Sequence, residues 1–179
     1  MALITTDRLL LRPLAEEDAP DVYAYSAGSH VGPPAGWKPH ESEQESLEIL
    51  KTVFLSRDAV FGIVLRETGH VIGSIGLIDD PKRENPAARM LGYALGKDNW
   101  GRGIMTEAVR ATLAYGFERL SLALISAYCY PENRRSQRVL DKCGFVREGT
   151  LQLCERRYDG VVLDNLCYVL LREKHTSVE

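Results

Sequence analysis

A predicted strand, a turn with two glycines and a predicted helix follow one another between residues 88 and 120, and this order is the strongest constraint on the fold. The strand covers Ala88 to Leu95, the turn contains Gly101 and Gly103, and the helix runs to about Leu120. Apolar residues of the helix recur on one face: Val109, Leu113, Phe117 and Leu120. A strand that leads into such a helix needs a sheet covered by helices, which predicts a mixed α/β fold.

The remaining pattern predicts six further strands and three further helices. They are a strand Arg8 to Leu14, a helix Glu16 to Tyr25, a helix Ser42 to about Leu55, strands Val60 to Leu65 and Val71 to Ile78, a strand Leu122 to Tyr128, a helix Arg134 to Lys142, and strands Phe145 to Leu153 and Val161 to Leu171. The order is β-α-α-β-β-β-α-β-α-β-β, a central mixed sheet flanked by helices. Residues 1–179 contain no repeat or linker, so we expect a single domain.

Three local signals refine these elements. Ser42 and Glu45 form the pattern of a capping box at the start of the second helix. Residues 27–40 hold three glycines and three prolines, which predicts a long loop. Gly92 lies inside a predicted strand, which suggests a bulge or the close approach of another backbone.

Composition excludes several classes of protein. The chain has 179 residues, 45% of them hydrophobic, and a net charge of −3, which argues against a direct nucleic-acid binder. No stretch approaches the roughly 20 apolar residues of a membrane span, and the N-terminus lacks the layout of a signal peptide. The four cysteines and four histidines have no metal-ligand spacing. We therefore expect a cytoplasmic protein without a bound metal.

The turn "DNWGRGIMTEA" has the layout of an anion site. Unpaired N–H groups and the dipole at a helix start attract phosphate, and glycine lets a phosphate approach the backbone. No GK[ST] follows, and Thr106 stands where a dinucleotide fingerprint has its third glycine. Taken alone, the turn fits both a phosphate cradle and a plain β-α connection.

A second constellation follows the predicted strand Leu122 to Tyr128. Asn133 and Ser136 lie three residues apart at the start of a helix, just past the carboxyl end of that strand. Open α/β sheets bind ligands at such ends. Asn133 also suits a helix cap and Ser136 a local backbone partner, so both roles stay open.

Four phrases together resemble the GNAT (GCN5-related) N-acetyltransferases, in particular the branch with the ribosomal-protein N-terminal acetyltransferases. They are "TTDRLLLRPLAEEDA", "LGYALGKDNWGRGIMTEA", "ENRRSQRVLDKCGFVREGTLQ" and "DNLCYVLL", and the resemblance spans nearly the whole chain. It implies the GNAT fold, acetyl-CoA as the acetyl donor and an amine as the acceptor.

The resemblance also implies the donor site. The turn would hold the pyrophosphate of acetyl-CoA, and the strand before it would take the pantetheine arm like an added strand. The implied cofactor-binding residues are Leu91, Tyr93, Ala94, Leu95, Trp100, Gly101, Arg102, Gly103, Ile104, Met105, Thr106, Asn133 and Ser136. Arg102 and Arg134 are candidate phosphate neighbours, and the anionic Asp98 should face away.

Catalytic roles rest on the same resemblance. Ser136 would protonate or stabilise the leaving thiolate, with Tyr93 and Tyr158 as alternative acids. Glu155 would act as the general base, with Glu107 as its rival. Trp37 and His40, in the loop before the second helix, would contact the acceptor.

The nature of the acceptor stays open. A lysine-like amine costs roughly 4–5 kcal/mol to deprotonate at pH 7, whereas an α-amine costs only about 1–1.5 kcal/mol. This favours a protein N-terminus over a small amine such as an aminoglycoside or polyamine. A non-catalytic acyl-CoA-binding module is the alternative of another class. A second copy of the chain, forming a homodimer, is a further candidate partner.

Overall fold

The computed structural model describes residues 2–175, which form one eight-stranded sheet with helices on both faces. The strands are β1 Ile4–Thr5, β2 Leu9–Arg12, β3 Val60–Leu65, β4 Val71–Ile78, β5 Ala88–Leu95, β6 Leu124–Cys129, β7 Val146–Arg156 and β8 Val162–Leu171. The helices are α1 Ala19–Ser26, α2 Glu43–Ile49, α3 Ile104–Ala114, α4 Arg134–Lys142 and α5 Arg172–His175. The mixed α/β fold class predicted from the sequence is confirmed.

The sheet order β1-β2-β3-β4-β5-β6-β8-β7 is antiparallel except between β5 and β6. These two strands pair only from Ala88–Leu124 to Met90–Ser126. Beyond Met90, β5 continues to pair with β4 and has separated from β6. A gap therefore opens in the middle of the sheet, beside Tyr93 to Leu95.

Gly92 lies at this separation, but the predicted bulge is absent from its pairing with β4. Gly92 pairs with Gly76, and the register of β4 and β5 is regular from Gly73–Leu95 to Ile78–Met90. A Cβ on Gly92 would meet no atom within 4 Å. The strand is thus continuous, and the irregularity lies on its other edge.

Helix α3 covers the sheet with its predicted apolar face. Val109 and Leu113 are buried in the core, as is Phe117 in the wider helical turn Tyr115–Arg119 that continues α3. Leu120, the fourth residue of the predicted face, is 37% exposed. A Cβ on Gly116 would approach Leu77 Cδ1 to 2.8 Å, so this glycine allows the helix to lie close to the sheet.

Several boundaries differ from those predicted. The predicted strand Arg8 to Leu14 is the shorter β2, the strand β1 precedes it without having been predicted, and a short helix α5 follows β8. Residues Glu16–Asp18 form a 3₁₀ turn before α1, and β7 extends to Arg156. Ser42 caps α2 as expected, but the Glu45 carboxylate accepts from the backbone N–H of Glu41, one residue before the cap. The predicted spans of β3, β4, β5 and α4 match the structure.

Strand β7 lies at the edge of the sheet and contains a bulge. The register shifts between Leu151, which faces Asn165, and Glu155, which faces Leu163. Within the bulge Leu153 has φ of 47°, a left-handed conformation that is unusual for leucine. Such conformations occur at functional sites more often than elsewhere.

Across residues 2–175, no helix is both long and apolar enough to cross a membrane.

Candidate active site

A first cavity of about 520 Å³ opens where β5 separates from β6, a size in the range of small-molecule sites. Its walls are the end of β5, the turn before α3, one face of α4 and part of the 27–40 loop. The residues that line it are His30, Val31, Pro34, Ala35, Tyr93, Ala94, Leu95, Asn99, Trp100, Gly101, Gly103, Ile104, Met105, Thr106, Asn133, Arg135, Ser136, Arg138, Val139 and Lys142.

The glycine turn places the start of α3 on one wall of this cavity. Gly101 and Gly103 have φ of 75° and 74°, in the left-handed region that favours glycine. Gly103 is the N-cap of α3 and offers no side chain to the helix, so the first N–H groups of α3 remain for a ligand. The turn thus has the geometry of a phosphate cradle.

Basic side chains of α4 face the same cavity. Arg135, Arg138 and Lys142 line it at helical spacings of three and four residues. The Arg135 guanidinium lies 4.0 Å from the centre of the ring of Trp100, which also lines the cavity. Within the described chain, the cavity lining has no acidic residue. The wall therefore suits a polyanion such as the phosphates of coenzyme A.

Arg102 and Arg134, the candidates from the sequence, do not line the cavity. Arg102 donates to Asn99 Oδ1, and Arg134 donates to Gln137 Oε1. Leu91 is also absent from the lining, because its side chain is 3% exposed and belongs to the core. Asp98 is exposed and outside the lining, in agreement with the expectation that it avoids the anion site.

Tyr93 and Ser136 meet inside the first cavity. The Tyr93 hydroxyl lies 2.8 Å from Ser136 Oγ, and either group can donate. Burial raises the pKa of Tyr93 above its usual range, opposed by the hydrogen bond with Ser136. The tyrosine hydroxyl therefore stays protonated at neutral pH and can donate to the serine.

Asn133 connects α4 to the long loop. Its side-chain oxygen accepts from the N–H of Ser136, so it caps α4, and its amide donates to the Pro34 carbonyl. Pro34 lies in the 3₁₀ turn Pro33–Ala35 of the loop. The predicted cap is present, and the same side chain also fixes the loop over the cavity.

A second cavity of about 480 Å³ lies across β5, between the loop, α1, α2 and the sheet. Its lining is Val22, Tyr25, Ser26, Ala35, Trp37, Lys38, His40, Glu45, Ile49, Val53, Phe54, Arg57, Val60, Ser74, Ile75, Gly76, Ile78, Gly92, Tyr93 and Ala94. Ala35, Tyr93 and Ala94 also line the first cavity. The two cavities therefore meet at these three residues.

Trp37 and His40, expected to contact the acceptor, both line the second cavity. Their rings are 5.2 Å apart, and His40 Nδ1 lies 2.7 Å from Ser46 Oγ. Burial lowers the pKa of His40 below its usual range, with a smaller opposing effect of Glu45. The imidazole is thus neutral at pH 7. Trp37 also packs against Gly32, where a Cβ would come within 2.7 Å of its ring.

Glu155 contacts the 27–40 loop next to Ala35, one of the residues that both cavities share. Its Oε1 accepts from the Tyr130 hydroxyl at 2.5 Å, and its Oε2 accepts from Asn165 Nδ2 at 2.8 Å. A Cβ on Gly36 would lie 3.0 Å from Oε1, so the carboxylate touches the loop at a glycine. Neither cavity lining includes Glu155. Among the described ion pairs, Arg157 pairs with Asp159 and not with Glu155.

Glu107, the rival base, is engaged on the opposite side of α3. Its carboxylate accepts from the Thr6 hydroxyl at 2.6 Å and from the Arg8 backbone and guanidinium, and it lines neither cavity. Burial acts to raise the pKa of Glu107, but the bonds from Thr6 and Arg8 outweigh it, and the net pKa is lowered. Tyr158 is 49% exposed and also lies outside both linings.

Three of the four cysteines have pKa values that burial raises. Burial raises the pKa of Cys129 and of Cys143 to about 11, so both thiols are protonated at neutral pH. In the part of the chain that the structure describes, no three His, Cys, Asp or Glu residues group into a metal site.

Sequence reasoning missed Tyr130, Asn165 and the basic face of α4. The spacing of Arg135, Arg138 and Lys142 on a predicted helix could have indicated that face. Tyr130 and Asn165 gave no signal, because each meets Glu155 only through the pairing of distant strands.

Comparisons with known proteins agree with this geometry. The sequence model of the acetyltransferase (GNAT) domain matches residues 8–146. A Bacillus subtilis protein named as the uncharacterized N-acetyltransferase YoaA is 30% identical, over 96% of this chain and 98% of its own. The [ribosomal protein uS5]-alanine N-acetyltransferase of Escherichia coli is 30% identical, over 82% of this chain and 79% of its own. A crystal structure of a GNAT-family acetyltransferase from Bacillus anthracis superimposes with a TM-score of 0.82 at 28% identity, covering 96% of this chain and 99% of that one.

The chain belongs to the GNAT acetyltransferases. It has the mixed α/β fold of that family, and the family's N-acetyltransferases use acetyl-CoA as their donor.

Proposed function

We propose that this chain transfers the acetyl group of acetyl-CoA, bound in the first cavity, directly to the α-amine of an acceptor in the second cavity. The observation that carries the proposal is the meeting of the two cavities at Ala35, Tyr93 and Ala94. One cavity has a cationic lining that fits a phosphorylated donor, and the other opens on the far side of the same strand. A ternary complex needs this arrangement, because donor and acceptor must be bound together.

The donor's phosphates would lie at the turn before α3. The N–H groups of Gly103 to Thr106 would donate to the pyrophosphate, and Arg135, Arg138 and Lys142 would supply positive charge. The pantetheine arm would follow Tyr93 to Leu95, where β5 has no partner strand on the β6 side. Asn133, which now donates to Pro34, borders the same space.

The chemical step replaces the C–S bond of the thioester by a C–N bond, and an N–H bond by an S–H bond. The neutral acceptor nitrogen attacks the thioester carbonyl carbon, the C–N bond forms, the C–S bond breaks, and the CoA thiolate leaves. The nitrogen would release its second proton to solvent, and solvent would return a proton to the Ser136–Tyr93 pair. Because Tyr93 can donate its proton to Ser136 Oγ, the proton of Ser136 would be directed to the thiolate sulfur. No enzyme nucleophile is needed, which agrees with the raised pKa of Cys129 and Cys143.

Glu155 would receive the proton of the acceptor ammonium. Tyr130 and Asn165 orient its carboxylate, and two oxygens can accept more than these two hydrogen bonds. Because Glu155 touches the loop at Gly36 and lines neither cavity, we assign the transfer to an intervening water. His40 is the competing base, since it lines the second cavity as a neutral imidazole.

An α-amine is the acceptor that best suits a base acting through water. Its deprotonation near pH 7 costs only about 1–1.5 kcal/mol, and one carboxylate that acts through a water suffices as the base. The uS5-alanine N-acetyltransferase to which the chain is similar also takes an N-terminal residue, by its name. A protein or peptide N-terminus is therefore the proposed acceptor. A homodimer of the chain stays a prediction, which sedimentation at micromolar concentration tests.

Glu155→Gln tests the assignment of the base. We expect kcat to fall about 10²- to 10⁴-fold with peptide acceptors, with little change in the Kd of CoA measured by calorimetry. Glu148→Gln is the matched control, because Glu148 lies on the same strand and pairs with Arg83, away from both cavities. An unchanged rate and pH profile in Glu155→Gln, with loss of the low-pH limb of the rate profile in His40→Asn, would transfer the role to His40. Saturable CoA binding without turnover on any amine would contradict the enzymatic proposal and favour a binding module.

A further inference from the structure

We infer that the acceptor carries an apolar side group beside its primary amine, and that polycationic amines are poor acceptors. This inference rests on the proposed function, because it concerns the second cavity as the acceptor site. It names the chemical class that this cavity selects.

The walls of the second cavity are mainly hydrocarbon. Side chains from α2, from the wider turn Leu50–Phe54 that continues it and from the sheet converge on the space: Ile49, Val53, Phe54, Val60, Ile75 and Ile78. Val53 is 40% exposed, so part of this apolar surface still faces solvent in the free protein. Covering such a surface with an apolar ligand group removes it from water, which favours binding roughly in proportion to area.

The charges of the cavity disfavour a second ammonium group on the acceptor. The lining contains Lys38 and Arg57 as cations and, within the described chain, Glu45 as the one carboxylate. Glu45 already accepts from the backbone N–H of Glu41 and lies 3.7 Å from the Lys38 ammonium. A polyamine or aminoglycoside would bring several positive charges towards Arg57, and it would compete for Glu45 with the Lys38 ammonium, which also pairs with Glu41 at 2.8 Å.

The connection between the two cavities suits an acceptor whose side group is held in the second cavity while its amine points towards the first. The second cavity reaches the first at Ala35, Tyr93 and Ala94. A side group held by Phe54, Ile75 and Ile78 would leave the amine free to extend towards this junction. The apolar group would then contribute orientation as well as affinity, since the amine must approach the thioester in a fixed geometry.

The shared chemistry is a primary amine next to an aromatic or branched aliphatic group. Two sources can supply it: a peptide whose first residue is Phe or Leu, and a free arylalkylamine such as phenethylamine. Aromatic groups gain most from such a site, because they bury the largest apolar area.

Initial rates with acetyl-CoA test the inference on the full chain. The acceptors are peptides of one sequence that differ only in the first residue (Phe, Leu, Ala, Ser or Lys), together with phenethylamine and spermidine. We expect kcat/KM to be at least about tenfold higher for Phe and Leu than for Ala, Ser and Lys, and for phenethylamine than for spermidine. A preference for peptides identifies an N-terminus as the source, and a preference for phenethylamine identifies a small amine; both support the shared chemistry.

Equal or higher kcat/KM with Ala, Ser, Lys or spermidine would overturn the inference while leaving acetyl transfer intact. Absence of turnover with every acceptor would contradict the proposed function instead. In that case, saturation-transfer NMR with phenethylamine and spermidine decides the inference, and equal binding of the two amines would overturn it.

Gly92→Val provides a variant with a matched control. Gly92 lines the second cavity only, and a Cβ there meets nothing within 4 Å, so the valine would narrow the cavity without a clash in the fold. Gly149→Val is the control, a strand glycine with equally open surroundings that lines neither cavity. We expect Gly92→Val to lower kcat/KM for the Phe peptide about tenfold and for the Ala peptide by less than about twofold, with an unchanged Kd for CoA. Equal losses for both peptides would count against apolar selection in this cavity.

Discussion

Gly103→Val tests the assignment of the turn before α3 as the phosphate cradle. Gly103 lines the first cavity and caps α3 with φ of 74°. A Cβ at this position would have Arg8 Nη2 as its nearest neighbour, at 3.6 Å, which is an ordinary contact. The substitution therefore acts through backbone strain and through a side chain in the cradle, and not through a clash with the rest of the fold.

The magnitude follows from the backbone conformation. An L-residue in the left-handed region costs roughly 1–2 kcal/mol, and a β-branched residue lies at the upper end. The turn can relieve this strain by changing φ, but the N–H groups then no longer point together at an anion. Restoring the cradle on binding would cost about the same free energy, which corresponds to a 5- to 30-fold weaker Kd for CoA.

Isothermal calorimetry with CoA measures this loss, at a temperature where the variants remain folded. Gly69→Val is the control, because Gly69 has φ of 75° with nothing within 4 Å of its Cβ and lies in the turn between β3 and β4. Gly69→Val should lose about 1–2 kcal/mol of unfolding free energy and bind CoA as the wild type does, whereas Gly103→Val should bind CoA more weakly. Wild-type affinity in a folded Gly103→Val protein would refute the cradle.

Two further predictions concern stability. Glu107→Gln should lower the unfolding free energy by about 1–2 kcal/mol, because it removes the charge that accepts from Thr6 and Arg8; an unchanged urea midpoint would contradict this role. His40 has a lowered pKa in the folded chain, so the unfolded chain binds more protons at and below an imidazole pKa of about 6.5. The contribution of the neutral His40 side chain to the free energy of unfolding is therefore complete above about pH 6.5, and it is lost as the pH falls towards the lowered pKa of the folded state. Urea unfolding at several pH values should therefore show a steeper acid loss in the wild type than in His40→Asn, and parallel curves would count against a buried neutral imidazole.

Local signals were sufficient for the elements that frame the site. Helix α4 begins after the side-chain cap Asn133 and ends before Gly144, whose φ is 84°. Residues next to the helix therefore define both of its ends. Strands β3 to β5 follow one another as antiparallel neighbours, and their alternation of turns and apolar runs defined their limits. The left-handed glycines at 101 and 103 were predictable because few other residues accept that conformation.

Features that depend on distant segments were not predictable in the same way. The gap beside β5 arises because the pairing of β5 with β6 ends at Met90. The sequence of neither strand indicates where this pairing ends. The second cavity needs a loop, α1, α2 and the sheet to come together. Glu155 was selected through family resemblance alone, and its partners Tyr130 and Asn165 follow from the sheet order β6-β8-β7.

A crystal structure with a bisubstrate analogue, in which CoA is joined through its sulfur to the α-amine of a phenylalanyl peptide, tests the central claim most directly. The account predicts the pyrophosphate at the N–H groups of Gly103 to Thr106, the sulfur beside Ser136, and the phenyl group in the second cavity against Phe54 and Ile75. An analogue whose pyrophosphate lies away from the glycine turn, or whose peptide avoids the second cavity, would contradict it.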